Sequence, residues 1–132
     1  MTLDDLRRGL ARAAEPSSDF DLNPGVNLLP NRKLRDAAVL ILVTQGAAGP
    51  EVVLTKRSAQ LKHHPGQISF PGGKKDLEDD DLWATALREA REEIGLNAAG
   101  VEPLGVLPTH ETVTSFTVTP KVALLRSPQA WT

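Results

Sequence analysis

The stretch from Gly72 to Leu96, GGKKDLEDDDLWATALREAREEIGL, leaves few folds open to this chain. It opens with a glycine pair, passes through an acidic loop, and becomes a run of good helix formers that stops at Gly95. On a wheel of about 100° per residue, with Glu89 at zero, Glu93 falls near +40° and Glu92 near −60°. These three carboxylates share one face at i, i+3 and i+4. Trp83, Leu87, Ala90 and Ile94 gather between about 100° and 160°. The helix therefore carries an apolar stripe that another layer must cover, with an acidic face nearly opposite.

Three carboxylates that close repel one another, and like charges at i, i+4 cost a few tenths of a kcal/mol per pair. A hard cation such as Mg²⁺ reverses the sign, because it takes oxygen ligands and sits with one or two carboxylates beside substrate phosphates. Glu and Arg are also ordinary helix formers, and many acidic helix faces are simply solvated. Arg88 to Glu93 alone does not separate the two readings.

The flanking chain supplies a sheet. Ala37 to Thr44 is a short apolar run rich in β-branched residues, followed by a Gln45–Pro50 turn, and reads as a buried strand. Glu51 to Lys56 is its hairpin partner. Ile68 to Phe70, Val101 to Leu107 and Ser115 to Leu124 are further strands. Thr2 to Ala14 reads as a short helix with a Thr2–Asp5 capping box and a stripe of Leu3, Leu6, Leu10 and Ala13. Residues 15 to 36 are turn-rich and read either as a covering arm anchored by Val26, Leu28 and Leu29 or as a flexible leader. Strands on both sides of one strong helix predict an α/β or α+β domain with a mixed sheet. Residues 1–132 fit one domain, with residues 1–36 as its N-terminal helix and arm.

A net charge of −2, from 17 acids against 15 bases, gives no basis for general nucleic-acid binding. The absence of cysteine removes disulfides and thiolate metal sites. No stretch is long and apolar enough to span a bilayer, and the N-terminus lacks a signal-peptide core, so a soluble cytoplasmic protein without membrane partners is expected.

Arg88-Glu89-Ala90-x-Glu92-Glu93-x-Gly95-Leu96 resembles the second half of the Nudix box, the signature of the Nudix hydrolases, at every position. The first half asks for a Gly, five residues, an acid, and seven residues before the Arg. Gly73 precedes Asp79 by the right interval, but eight residues separate Asp79 from Arg88, and the acid is Asp rather than Glu. One extra loop residue accounts for the difference and leaves Asp79 and Asp80 both open as the family's acid. The resemblance implies a Nudix-like α/β/α sandwich around a mixed sheet. It implies metal-dependent hydrolysis of a diphosphate, with Mg²⁺ or Mn²⁺ held by Glu89, Glu92, Glu93 and the Gly73 carbonyl. Arg88 would orient the acids, and the general base stays open, Glu111 being the only acid after Glu102.

Upstream, Leu54 to Gly73 reads as a strand end, a basic loop and a glycine turn, with Lys56, Arg57, Lys62, His63 and His64 suited to phosphate or simply solvated. Leu54, Thr55, Arg57, Ser58, Leu61, His64, Gly66, Gln67, Phe70, Pro71, Gly72 and Gly73 look like the motif of Nudix proteins that hydrolyse coenzyme A, which also tend to carry the extra loop residue. That resemblance implies coenzyme A as substrate, with 4′-phosphopantetheine and adenosine 3′,5′-bisphosphate as products. Arg57, Ser58, His64, Gln67 and Phe70 would be its substrate contacts. Other diphosphates, or nucleotide binding without catalysis, are the alternatives. Family members usually continue through another strand and a helix, so a chain ending at Thr132 is expected to lack that helix. Leu124, Leu125 and Trp131 would then be short of cover, which favours homo-oligomers. On this reading, Arg57→Ala raises KM for coenzyme A more than it lowers kcat, and steady-state kinetics with and without the 3′-phosphate test it.

Overall fold

A computed structural model describes residues 3–11, 17–18, 34–46, 49–56, 68–112 and 115–126. Its elements in chain order are α1 (Leu3–Ala11), β1 (Ser17–Ser18), β2 (Arg35–Gly46), β3 (Gly49–Val53), β4 (Thr55–Lys56), β5 (Ile68–Ser69) and β6 (Gly72–Lys74). Then come α2 (Leu82–Ile94), a 3₁₀ turn (Ala98–Gly100), β7 (Val101–Val106), β8 (His110–Glu111) and β9 (Phe116–Leu125). No helix among the described residues is long and apolar enough to cross a membrane.

Two long strands form the spine. β2 and β9 run parallel, in register from Arg35 opposite Phe116 to Thr44 opposite Leu125. Each carries two shorter antiparallel strands on its outer edge. On β2 these are β6, opposite Ala37 to Val39, and β3, opposite Leu42 to Gly46. On β9 they are β8 and β7. β1 pairs parallel with β8 to complete a mixed seven-stranded sheet, while β4 and β5 form a separate two-stranded one.

Side chains of a strand alternate between faces, and the two faces of this sheet take different partners. Ala38, Leu40, Leu42, Ala123 and Leu125 point at α2 and pack with Ala86, Ala90, Ile94 and Leu96. Val43, Val122 and Leu124 point the other way, where Leu6 and Leu10 of α1 meet them. The layering is α/β/α, as expected. The expected lack of cover at the end of the chain is not found for Leu124 and Leu125. Both are buried, because α1 packs behind the sheet over Leu124 and α2 shields Leu125. Trp131 lies outside the described residues.

Several boundaries differ from expectation. β2 is longer than the apolar run at both ends, and Glu51–Lys56 divides between β3 and β4, which belong to different sheets. The expected N-terminal helix is Leu3–Ala11; Thr2, residues 12–16 and the arm's Val26, Leu28 and Leu29 lie outside the described residues. β8 had no sequence signal. The glycine pair, expected as a turn, is a strand. Its tolerance for β2 is steric: a Cβ on Gly72 would overlap the Ala38 carbonyl oxygen and stand 2.7 Å from Val39 Cα. Backbone atoms of a central strand cannot give way.

Gly72→Ala should therefore destabilise the protein by about 1–3 kcal/mol, the cost of forced overpacking. Gly9→Ala, in α1 with nothing within 4 Å of the added Cβ, should stabilise it by about 0.5–1 kcal/mol. Urea denaturation of the two variants measures both signs.

Candidate active site

α2 is held at both ends by local chemistry. Asp81 is its N-cap, its carboxylate accepting from the Ala84 amide at 2.8 Å. Gly95 ends it in the left-handed region at φ 72°, donating to the carbonyls of Ala90 and Arg91. Leu96 then turns back into the core at 2% exposure, the apolar contact that accompanies such caps. The helix position is thereby fixed before any polar face is considered.

The buried side of α2 is wider than its apolar stripe. Thr85 and Ala86 are fully buried, while Trp83 and Leu87 are only partly so. Glu89 lies at the margin of this broad buried face, against β6. A Cβ on Gly73 would come within 2.7 Å of both the Glu89 Cδ and Oε1. Only a glycine lets the backbone approach the carboxylate this closely. Glu93 also reaches back to β6, accepting from the Gly72 amide at 3.2 Å.

Arg88 ties the loop to this helix. Its Nε donates to Asp79 Oδ1 at 3.0 Å and its Nη2 to Asp79 Oδ2 at 3.1 Å, a two-point fork. Nη1 donates to Glu89 at 3.0 Å and to Glu92 at 3.5 Å. Nη2 also donates to the Lys74 carbonyl at 3.3 Å and lies 3.4 Å from Asp76. Asp79 is further held by the Thr85 hydroxyl and the Asp76 amide, both at 2.9 Å. These bonds settle which loop acid pairs with the arginine: Asp79 is buried on Arg88, and Asp80 is exposed. The extra loop residue lies after Asp79, where the chain turns out through Asp80 to the Asp81 cap.

The electrostatics follow from this packing. The hydrogen bonds from Arg88, then from the Asp76 amide, hold the Asp79 carboxyl well below the usual carboxylate range. Asp79 in turn raises Arg88 further above its ordinary value. Glu89 is pushed up, first by loss of water and also by the charges of Glu92 and Asp76, against the opposing pull of Arg88.

Among the described residues no three acidic or imidazole side chains converge as a ready-made metal cage. Glu89 and Glu92 share the Arg88 guanidinium, and Glu93 turns to the Gly72 amide. The donor set nevertheless fits Mg²⁺ or Mn²⁺. It consists of hard carboxylate oxygens, one of them desolvated and repelled by its neighbours, beside a backbone brought close by a glycine. Glu92 is 54% exposed at its side chain and has room to turn.

Beyond β6, the opposite face of the sheet carries a pocket of about 410 Å³ lined by Val39, Phe70, Gly73, Lys74, Phe116 and Val118 among others. Phe70 was expected at the site; Phe116, Val118 and Lys74 were not, because only the β2–β9 and β2–β6 registers bring them together. Arg57, Ser58, His64 and Gln67 lie outside the described residues. Glu111 sits in β8, separated from β6 by β9 and β2.

A family model described as the NUDIX domain matches residues 33–131. An uncharacterized Nudix hydrolase, NudL, from Citrobacter koseri is 50% identical over 91 residues, covering 69% of this chain and 47% of that protein. Its counterpart in Pectobacterium atrosepticum is 43% identical over 106 residues, covering 80% and 55%. The chain thus spans about half the length of these curated relatives. An Ap4A hydrolase from C. elegans, solved as a binary complex, superposes with a TM-score of 0.62 at 22% identity, over 73% of this chain and 70% of that one. The NUDIX domain of Shewanella oneidensis NrtR, solved with ADP ribose, superposes at 0.57 and 19% identity, over 86% and 74%. At such identities these two structures speak for the fold alone.

Asp79→Asn should lower the melting temperature clearly at neutral pH, and Asp80→Asn should not. Because the Asp79 pKa is depressed on folding, its stabilisation is complete above the unfolded value of about 4. It is lost as pH falls through the lower folded value. The gap in melting temperature between wild type and Asp79→Asn should stay constant from about pH 8 to 5 and close in strong acid.

Proposed function

This chain belongs to the Nudix family, and we propose that it hydrolyses the diphosphate bond of coenzyme A or its derivatives to 4′-phosphopantetheine and adenosine 3′,5′-bisphosphate. Nudix hydrolases act on pyrophosphate bonds of nucleoside diphosphate derivatives and generally need a divalent ion. One observation carries the reading. At the β6 edge the Glu89 carboxylate lies flush on Gly73, and the same glycine borders the pocket on the other face of the sheet. A diphosphate laid across that edge has carboxylates on one side and room for a nucleoside on the other. The coenzyme A motif from Leu54 to Gly73 supports the choice of substrate.

In this reading Glu89, Glu92, Glu93 and the Gly73 carbonyl hold Mg²⁺ or Mn²⁺. When bound, the ion would supply charge neutralisation on the diphosphate and activation of the attacking water. Arg88 orients Glu89 and Glu92 from a position fixed by Asp79. Phe70 and Phe116 give the nucleoside apolar walls, and the loop residues Arg57, Ser58, His64 and Gln67 take the remaining polar groups. The enzyme is cytoplasmic and its partner is a small molecule. A second reading keeps the chemistry and changes the substrate, for example to a dinucleotide or a nucleotide sugar. It is favoured by the pocket's apolar floor, which suits a nucleoside of any such diphosphate.

A panel of diphosphates incubated with Mg²⁺ or Mn²⁺, with products identified by mass, separates the two. Coenzyme A should be cleaved to the two named products, and a chelator should abolish the activity. Glu92→Gln and Glu93→Gln should each lower turnover by at least about 100-fold, since a ligand matters no less than the groups that support it. Their melting temperatures should hold or rise slightly as repulsion is relieved. Near wild-type turnover at limiting metal would overturn the ligand assignment.

A further inference from the structure

Arg35 is the first residue of β2 and shares a sheet face with Ala37 and Val39, which line the pocket. Its guanidinium carbon lies 4.4 Å from the centroid of the Phe116 ring, itself a wall of that pocket. Among the described residues no carboxylate pairs with Arg35. The contrast with Arg88 is chemical. Arg88 spends its N–H groups on Asp79, Glu89, Glu92 and the Lys74 carbonyl. Arg35 is held by a ring face, which attracts a cation without consuming any of its five donors. Those donors lie in the guanidinium plane, a planar fork that suits phosphate oxygens.

The backbone fixes this stack. The Arg35 amide donates to the Ser115 carbonyl at 2.9 Å. Ser115 adopts φ 68°, a conformation rarely populated by a residue with a side chain. Its amide donates to the Thr112 carbonyl at 3.1 Å. The Phe116 amide donates to the Thr112 hydroxyl at 3.1 Å, and the Thr112 amide to the Phe116 carbonyl at 2.8 Å. Such strain persists only where its surroundings over-determine it, and it clusters at ligand clamps.

Lys74, whose Cα partner is Ala37, is the cation in the pocket's lining, Arg35 stands beside it on the Phe116 wall, and none of the described lining residues is acidic. Ala38 is the register partner of Gly73. Arg35 stands three residues before it, about 10 Å along the strand.

We propose that Arg35, stacked on Phe116, is a specificity-determining residue that reads a phosphate carried on the substrate's ribose in addition to the diphosphate that is cleaved. The inference rests on the reading of coenzyme A as substrate, where that group is the 3′-phosphate.

The test is calorimetric binding of adenosine 3′,5′-bisphosphate and of AMP to the full chain with Mg²⁺, in wild type, Arg35→Gln, Arg35→Lys and Phe116→Leu. Wild type should bind the bisphosphate at least about ten-fold more tightly than AMP, the scale of one charge-assisted bond. Arg35→Gln should bring that ratio to within about two-fold. Arg35→Lys and Phe116→Leu should fall between, the first keeping charge without the fork and the second keeping the fork without its platform. No preference in wild type, or an equal loss for both ligands in Arg35→Gln, would overturn the assignment. Hydrolysis of coenzyme A and dephospho-coenzyme A by wild type and Arg35→Gln is measured in parallel. An Arg35-dependent binding preference without coenzyme A turnover overturns the substrate reading and keeps the phosphate site. Turnover of coenzyme A whose preference over the dephospho form survives in Arg35→Gln overturns the phosphate site and keeps the substrate reading.

Discussion

The fork between Arg88 and Asp79 ties a loop, a helix and a strand end to one guanidinium. Asp79 is in a loop, Arg88 is on α2, and the Lys74 carbonyl that Arg88 also reaches is the last of β6. The Asp79 side chain is 6% exposed and that of Arg88 20%, so the pair is partly withdrawn from water. Ions in that setting lose hydration, and close, fully hydrogen-bonded geometry is what offsets the loss. Here the carboxylate receives two bonds from the guanidinium, one from Thr85 and one from a backbone amide. A lysine could not replace Arg88, because a single ammonium cannot fork onto Asp79 while also reaching Glu89 and Glu92. The same cation that closes the loop also sets where two of the acids stand.

The two glycines before the loop solve different steric problems. Gly72 lets β6 lie against the backbone of β2, and Gly73 lets β6 lie against the carboxylate of Glu89. One contact is strand to strand and the other strand to helix. Together they put a stretch of bare backbone between the acidic end of α2 and the pocket on the far face. A side chain at either position would separate the layers at the point where the site forms.

Much of this was legible in the sequence because periodicity and capping are local. The helix, its Gly95 stop and the acids at i, i+3 and i+4 follow from the wheel. The spine strand follows from the apolar run after Asp36. What escaped depends on partners distant in sequence. Thr85 has no apolar signal, yet it is buried because its hydroxyl has Asp79 to bond. The glycine pair has no strand propensity, yet it pairs because β2 extends past it. Leu124 is covered by a helix from the other end of the chain. The choice between Asp79 and Asp80 was undecidable by counting, since one inserted residue shifts the count from either side. Only the direction of the side chain decides it.

The distribution of charge across the sheet ties these pieces into one arrangement. The net charge of −2 is small, but the acids around Arg88 crowd one end of α2, and Glu89 is raised in pKa there. The pocket across β6 has no acid among its described lining residues and is flanked by Arg35 and Lys74. A neutral ligand would gain from the apolar floor alone. A small cation would gain only on the α2 side. A polyanion that also binds a hard cation gains on both, since the cation relieves the carboxylates and the remaining anionic groups meet the two basic side chains. The glycine edge borders both regions. In the proposed reading, the asymmetry of charge suits a ligand with a phosphate at the edge and further negative charge beyond it.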